Sequence, residues 1–273
     1  MSKMKAGPLS LRLTAIAYLA FMLFIPLAAV LQDGLRSGFS SFASSLFNPA
    51  AWHALKLTVW TAVVMALINA VMGTLTAYVM VRYAFPGRAW LNSLIDLPFA
   101  IPTLVTGVML VILYGPQQVL GGWLKNHWGW EIIFAPAGII LALLFVTFPL
   151  VVRTVEPLLM EIDEDQEEAA RALGASSWTT FWRVLFPAIL PGILTGTLLT
   201  FSRALGEFGS VVVVAGNIPF KSQTAAVYVW GELESQNRQG ASAMSVLLVA
   251  LSFLMILLVD WFEKRRGKTR VRA

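Results

Sequence analysis

Apolar residues fall into six runs, each close to the twenty or so residues that cross a bilayer, with short polar segments between them. The runs cover about Leu13 to Leu31, Leu57 to Val81, Leu91 to Tyr114, Ile133 to Val152, Ala188 to Ala215 and Ala243 to Phe262. Lipid offers no partner to an unpaired backbone group, so all six are predicted to be helices. Pro98 and Pro102 interrupt the third run, and Pro187 and Pro191 open the fifth. Such prolines predict kinks, tolerated where neighbouring helices cover the freed carbonyls. The first run follows Lys3, Lys5 and Arg12, as a signal peptide would. It is too long for such a segment and no clear Ala-x-Ala site follows, so it is read as a retained helix.

The polar segment of about 161–187 does not read as a plain loop. Six acids lie between Glu161 and Glu168, and Ala169, Ala170, Arg171 and Ala172 lead to Gly174. Acids favour the positive end of a helix dipole, and alanine is the best helix former. Gly174 suits the left-handed position just past a helix end. Ser176 or Ser177 is placed to cap a second helix. In that helix Trp178, Phe181, Trp182 and Leu185 recur at helical spacing as one apolar stripe. A short helix of small side chains at a membrane face suits close approach by a partner; the plainer alternative is an interfacial helix joining two spans.

Composition narrows the class. Hydrophobic residues are 58% of the 273 and charged residues 13%, with a mean hydropathy of +0.73. Soluble domains carry about a quarter charged residues. No polar region is large enough for a separate soluble domain, so the chain reads as one membrane domain over 1–273. Cysteine is absent and the two histidines are far apart, so no disulfide framework, metal cluster or His-based catalytic pair is expected. The chain also lacks a phosphate-binding Gly-x-x-x-x-Gly-Lys-Ser/Thr loop, so it is not itself an ATPase. No internal repeat of the kind found in ion-coupled transporters stands out.

Inside the fifth run lies Ser202-Arg203-Ala204-Leu205-Gly206-Glu207. Charges within a span usually face a bundle interior or a watery path. Arg203 and Glu207, four apart, are placed to pair on one helix face. Two readings stand: a self-neutralising structural pair, or an arginine fork offered to an oxyanion.

The loop carries a family resemblance. Glu168-Ala169-Ala170, then Gly174, then Val184-Leu185-Phe186-Pro187 matches the spacing of the cytoplasmic loop of ABC importer permeases. Val184 and Phe186 depart from that pattern by apolar exchanges. Phe201 to Gly209, Ala215 to Ile218, Arg82 to Arg88 and Asp96 to Thr103 are similar to the sulfate/thiosulfate and molybdate permeases, and Tyr228 to Ser242 to the sulfate branch. The resemblance covers nearly all of Lys56 to Asp260. It implies an all-α membrane protein of six transmembrane helices, the type I importer fold, with a short cytoplasmic coupling helix. It implies docking to an ATP-binding cassette ATPase dimer through Glu168, Ala169, Ala170, Gly174 and Pro187, and alternating access driven by that ATPase. Ser202, Arg203 and Glu207 become candidates for the translocation pathway. The further implied partners are a second related permease and a periplasmic or extracellular sulfate-binding protein, with membrane lipid around them and no nucleic acid or cofactor. A molybdate or tungstate importer is the alternative, an ion-coupled secondary transporter a more distant one.

Orientation follows from the cations. Of 20 lysines and arginines, 14 fall on the side holding both termini and the polar loop, 5 on the other, and Arg203 within a span. The cation-rich side is expected to be cytoplasmic, with both ends and the polar loop inside, and the resemblance implies a bacterial inner membrane. On the outer side, Trp123, Trp128 and Trp130 suit the membrane interface, the alternative being contact with a delivery protein. A reporter active only outside the cytoplasm should work when fused near Ser45, Asn126 or Gln236 and stay silent near Gly87, Ser176 or Gly267. Activity at Ser176 would reverse the orientation.

Overall fold

The computed structural model describes residues 9–270, and every regular element among them is helical. Lys3, Lys5 and Arg272 lie outside the described residues, as do the side chains of the basic tail from residue 262 onward. The elements are α1 Leu11–Leu35, α2 Phe39–Leu46, α3 Pro49–Arg82, α4 Arg88–Ala100, α5 Thr103–Tyr114 and α6 Val119–Trp128. They continue with α7 Pro136–Glu161, α8 Glu164–Ala172, α9 Ser177–Leu205, α10 Gly209–Ala215, α11 Ala225–Glu234 and α12 Arg238–Arg270. Five helices (α1, α3, α7, α9 and α12) are long and apolar enough to cross a membrane, or six spans if α4 and α5 count as one.

The bundle centres on α7, which packs along both α3 and α9 and also meets α4, α5 and α10. Small residues set that approach, as expected where lipid removes the hydrophobic drive between helices. A Cβ on Gly73 of α3 would come within 2.7 Å of the Val151 Cβ, and one on Gly192 of α9 within 2.5 Å of the Thr154 carbonyl oxygen. Polar bonds add to the contact. The Asn69 amide of α3 donates to the Thr147 hydroxyl of α7 at 2.9 Å, and that hydroxyl donates to the Leu143 carbonyl at 2.8 Å. Around these contacts Met65, Leu143, Leu205 and Val211 form one buried cluster, and Met80, Val151, Val155, Leu159 and Ile189 a second.

Helix α1 sits apart. Its Ile25–Leu35 part packs on α12, where the Ser242 hydroxyl donates to Asp33 at 2.7 Å and Gly34 rests against Ser242 and Val246.

Two spans differ from the sequence reading. The third is not a kinked rod: α4 and α5 meet at 109°. Pro102 lacks an N–H and forces the residue before it out of the helical region, and Ile101 is extended at φ −84°, ψ 127°. Pro98 stays inside α4 without ending it. The fifth run, expected to continue to Ala215, stops at Leu205 and resumes at Gly209 as α10.

The two breaks pack on each other through α5 and α10. A Cβ on Gly107 would lie 2.7 Å from the Ser210 carbonyl oxygen and 2.8 Å from the Val213 Cβ, and Gly209 is pressed against Thr103. Gly206, by contrast, has open space around it. Gly107→Val should therefore cost about 1–3 kcal/mol and lower the melting temperature of the detergent-purified protein, while Gly206→Ala leaves it within error. Equal melting temperatures for the two variants would show that the breaks are not closely packed.

Candidate functional site

The polar loop folds as two short helices. Asp163 caps the first, its carboxylate accepting from the Asp165 N–H at 3.3 Å. The helix ends in a left-handed turn. Gly174 takes φ +85°, its N–H donates to the Arg171 carbonyl at 2.9 Å, and the Ala175 N–H reaches back to the Ala170 carbonyl at 3.0 Å. This pairing of bonds satisfies carbonyls that the helix end leaves free, and it needs a residue without a Cβ at Gly174. Of the two serines offered by the sequence, Ser176 is the cap: its hydroxyl accepts from the Thr179 N–H at 3.2 Å.

The start of α9 is wider than an α-helix. Phe181–Leu185 forms a π-turn, which splits the expected stripe. Leu185 is buried, whereas Trp178 is 70% exposed and stacks edge-on with Trp182 at 5.5 Å. Glu168, Ala169, Gly174, Pro187 and the neighbouring Leu173 are exposed, and Ala170 is half-buried. The loop thus presents a face of small, acidic and aromatic side chains with room for close approach.

One loop residue was not singled out by the sequence. Glu167 is only 6% exposed, and its carboxylate lies 2.7 Å from Arg82 at the end of α3 and 3.6 Å from Arg171. Its acid neighbours hid it, since five other acids surround it within eight positions. Arg153 was likewise read only as a topology charge. It makes a two-point bond to Asp96 of α4, Nε to Oδ1 at 2.9 Å and Nη2 to Oδ2 at 2.6 Å. Nη2 also reaches the Asn92 side chain at 3.0 Å, and Nη1 the Glu156 carboxylate. The fork-to-fork geometry that arginine favours thus clasps α4 to α7. Asp96 beside Pro98 was the available signal.

The second candidate constellation lies near the far end of α9. Arg203 is 26 residues beyond Ser177, about 39 Å at 1.5 Å per residue, so it is remote from the loop. Its Nη1 lies 2.9 Å from Glu207 Oε2, as the spacing suggested. The two do not share one helix, however, because Glu207 stands in the break after Leu205. There its Oε1 accepts from the Ser210 N–H at 3.1 Å and from the Ser210 hydroxyl at 3.0 Å. Glu207 therefore holds the first turn of α10 with one oxygen and Arg203 with the other. It is 2% exposed at its side chain, while Arg203 is 46% exposed. Ser202, half-buried, precedes Arg203 on α9. An arginine so placed keeps part of its donor fork free for an anion, and its charge is balanced by a carboxylate that is itself fully engaged.

On the expected outer side, Trp123, Trp128 and Trp130 cluster with ring centroids 5.3–5.4 Å apart. Lys125 and Lys221 both approach Glu131, at 2.9 and 3.7 Å. The Lys125 bond above all holds the Glu131 carboxyl below its ordinary range.

Comparison with known proteins gives a consistent result. The profile of the family described as binding-protein-dependent transport system inner membrane component matches residues 69–268. The probable sulfate transport system permease protein cysT of Nephroselmis olivacea is 41% identical over 253 residues, 93% of this chain and 89% of that protein. The sulfate transport system permease protein CysW of Synechocystis is 40% identical, again over 93% of this chain, and 91% of its own length. Among solved structures, a chain of a bacterial alginate ABC transporter, in complex with an alginate pentasaccharide-bound periplasmic protein, shares the fold. It has a TM-score of 0.78, covering 95% of this chain and 94% of that one at 17% identity.

The double role of Glu207 changes what a charge exchange can do. Arg203→Glu with Glu207→Arg keeps the pair but places at 207 a side chain that cannot accept from Ser210. The exchanged protein should remain about 1–2 kcal/mol less stable than wild type in thermal unfolding, the usual cost of a lost cap. Full recovery of stability would reduce Glu207 to a counter-ion.

Proposed function

This chain belongs to the family of binding-protein-dependent transport system inner membrane components, and we propose that within it the chain is a sulfate/thiosulfate permease subunit, one domain over 1–273, that moves the anion inward by alternating access. The observation that carries this reading is 41% identity to a sulfate permease over 93% of the chain. A partner ATP-binding cassette dimer supplies the energy, and a periplasmic sulfate-binding protein delivers the anion. The second permease subunit is a related chain, a role supported by the equal likeness to proteins named cysT and CysW. Both termini and the polar loop face the cytoplasm, in keeping with the cation count.

In this reading the loop of Glu168, Ala169, Ala170 and Gly174, with Pro187 where α9 enters the membrane, docks to the ATPase. Its support is the exposed small-residue face and the fixed left-handed turn. Closure of the ATPase on ATP shifts the loop, and the bundle swings between two arrangements, a rigid-body switch biased from a distance. Ser202 and Arg203 line the anion's path. Glu207 keeps Arg203 aimed while shaping the break. A dianion passing the half-exposed guanidinium meets planar paired donors, the geometry oxyanions favour.

The test is reconstitution of the chain with its ATPase, second permease and binding protein in vesicles. Radiolabelled sulfate should enter only with ATP, with thiosulfate competing well and molybdate poorly. Gly174→Val adds a β-branched side chain at positive φ, and should reduce uptake about ten-fold or more while the permease still inserts. Arg203→Lys keeps the charge but loses the fork, and should lower uptake with assembly intact. Sulfate entry without ATP, or normal uptake by the Gly174→Val protein, overturns the corresponding part of this reading.

A further inference from the structure

We propose that Arg82 and Glu167 form the strut that passes motion of the cytoplasmic loop into the core of the permease. The inference rests on the function proposed above and adds positioning residues to it. Helix α8 reads Glu-Asp-Gln-Glu-Glu-Ala-Ala-Arg-Ala, with no large apolar side chain to seat it against the bundle. A helix that must transmit force without such a side chain needs another hold. Glu167 supplies one. It is buried between exposed Gln166 and Glu168, and its Oε1 lies 2.7 Å from Nη2 of Arg82, with side chains only 8% and 11% exposed. Arg171, one turn on, approaches the other oxygen at 3.6 Å and steadies the carboxylate on its own helix.

Arg82 is the last residue of α3. That helix is fixed to α7 by the Gly73–Val151 contact and by the Asn69–Thr147 bond. A displacement of α8 therefore acts on the end of α3, and through α3 on α7. Two adjacent acids divide the work by the face each occupies. Glu168 points outward, free to meet a partner, and Glu167 points inward to the permease. Nearby, the Tyr78 ring stacks edge-on with Phe181 at 6.2 Å, so the start of α9 is braced on the same end of α3. Burial makes the pair matter: a close ion pair shielded from water resists separation, and removing one member leaves an uncompensated charge.

The experiment uses the assembled complex in vesicles. Its readouts are co-purification of the ATPase and the stimulation of ATP hydrolysis by loaded binding protein, together with sulfate uptake. Glu167→Gln and Arg82→Gln should lower the stimulation about ten-fold or more while the ATPase still co-purifies in normal proportion. Arg82→Lys, which keeps the charge, should retain at least about a third of it. The chain contains no cysteine, so a covalent replacement can be made cleanly. In Arg82→Cys with Glu167→Cys, bridging by a short bifunctional thiol-disulfide reagent should restore stimulation, and reduction should remove it again. Normal stimulation in Glu167→Gln overturns the proposal. So does loss of ATPase co-purification in step with stimulation, which would make the pair a determinant of docking or folding, and so does a bridged pair no more active than the reduced one. Should the wild-type complex respond to its binding protein yet move no sulfate, the substrate reading fails while the stimulation readout still tests the strut.

Discussion

A backbone group freed inside a membrane must find its partner within the protein, and the two broken spans of this chain are organised by that constraint. Pro102 ends α4 and Gly206 follows the end of α9, so each break exposes helix termini that lipid cannot satisfy. The chain brings the two breaks together. Helix α10 lies against α5 with Gly107 and Gly209 admitting the close approach, and Glu207 folds its carboxylate onto the Ser210 N–H. The same carboxylate then holds Arg203. A polar cluster that looks costly in a membrane is thus the device that makes a break tolerable, and the proposed anion path runs where the device leaves an arginine half-exposed.

Charge pairs recur between segments with a common logic. Arg153 grips Asp96 and Asn92 and fixes the first half of the broken third span to α7. Arg82 grips Glu167 and fixes the polar loop to α3. Arg203 grips Glu207 at the break in the fifth. Each arginine joins segments that small apolar contacts alone would leave free to slide. Between the spans themselves, glycines such as Gly73 and Gly192 set the close approach and buried apolar side chains fill the contact, but such packing is less directional than a charge pair.

The polar loop combines rigidity with exposure. Its turn is fixed by Gly174 and by two backbone bonds, its second helix by the Ser176 cap, and its inner face by Glu167. Trp178, Leu173 and Glu168 are exposed among the described residues. A segment so firmly shaped and so little covered fits docking to another subunit, and the π-turn at Phe181–Leu185 joins it to the rest of α9.

Much of this was legible in the sequence, for reasons of length and local chemistry. Apolar runs of about twenty residues have the length of spanning helices, a cation count gives an expectation for their orientation, and a lone glycine after an alanine run marks a left-handed turn. The spacing of Glu168, Ala169, Ala170, Gly174 and Pro187 identified the loop, and four-residue spacing brought Arg203 to Glu207. Periodicity did not foresee where a span would break, because Pro98 and Pro102 look alike in sequence. Only the first is accommodated within its helix, and the second forces Ile101 extended. Nor did it separate Glu167 from Glu168, or join Arg153 to Asp96 across 57 positions. The sequence by itself determined which segments are long and apolar enough to cross a membrane, and the local turns, since those depend on composition and neighbours a few residues away. Tertiary structure alone decided which acid is buried and which arginine it meets, because that depends on how helices distant in sequence rotate and pack against one another.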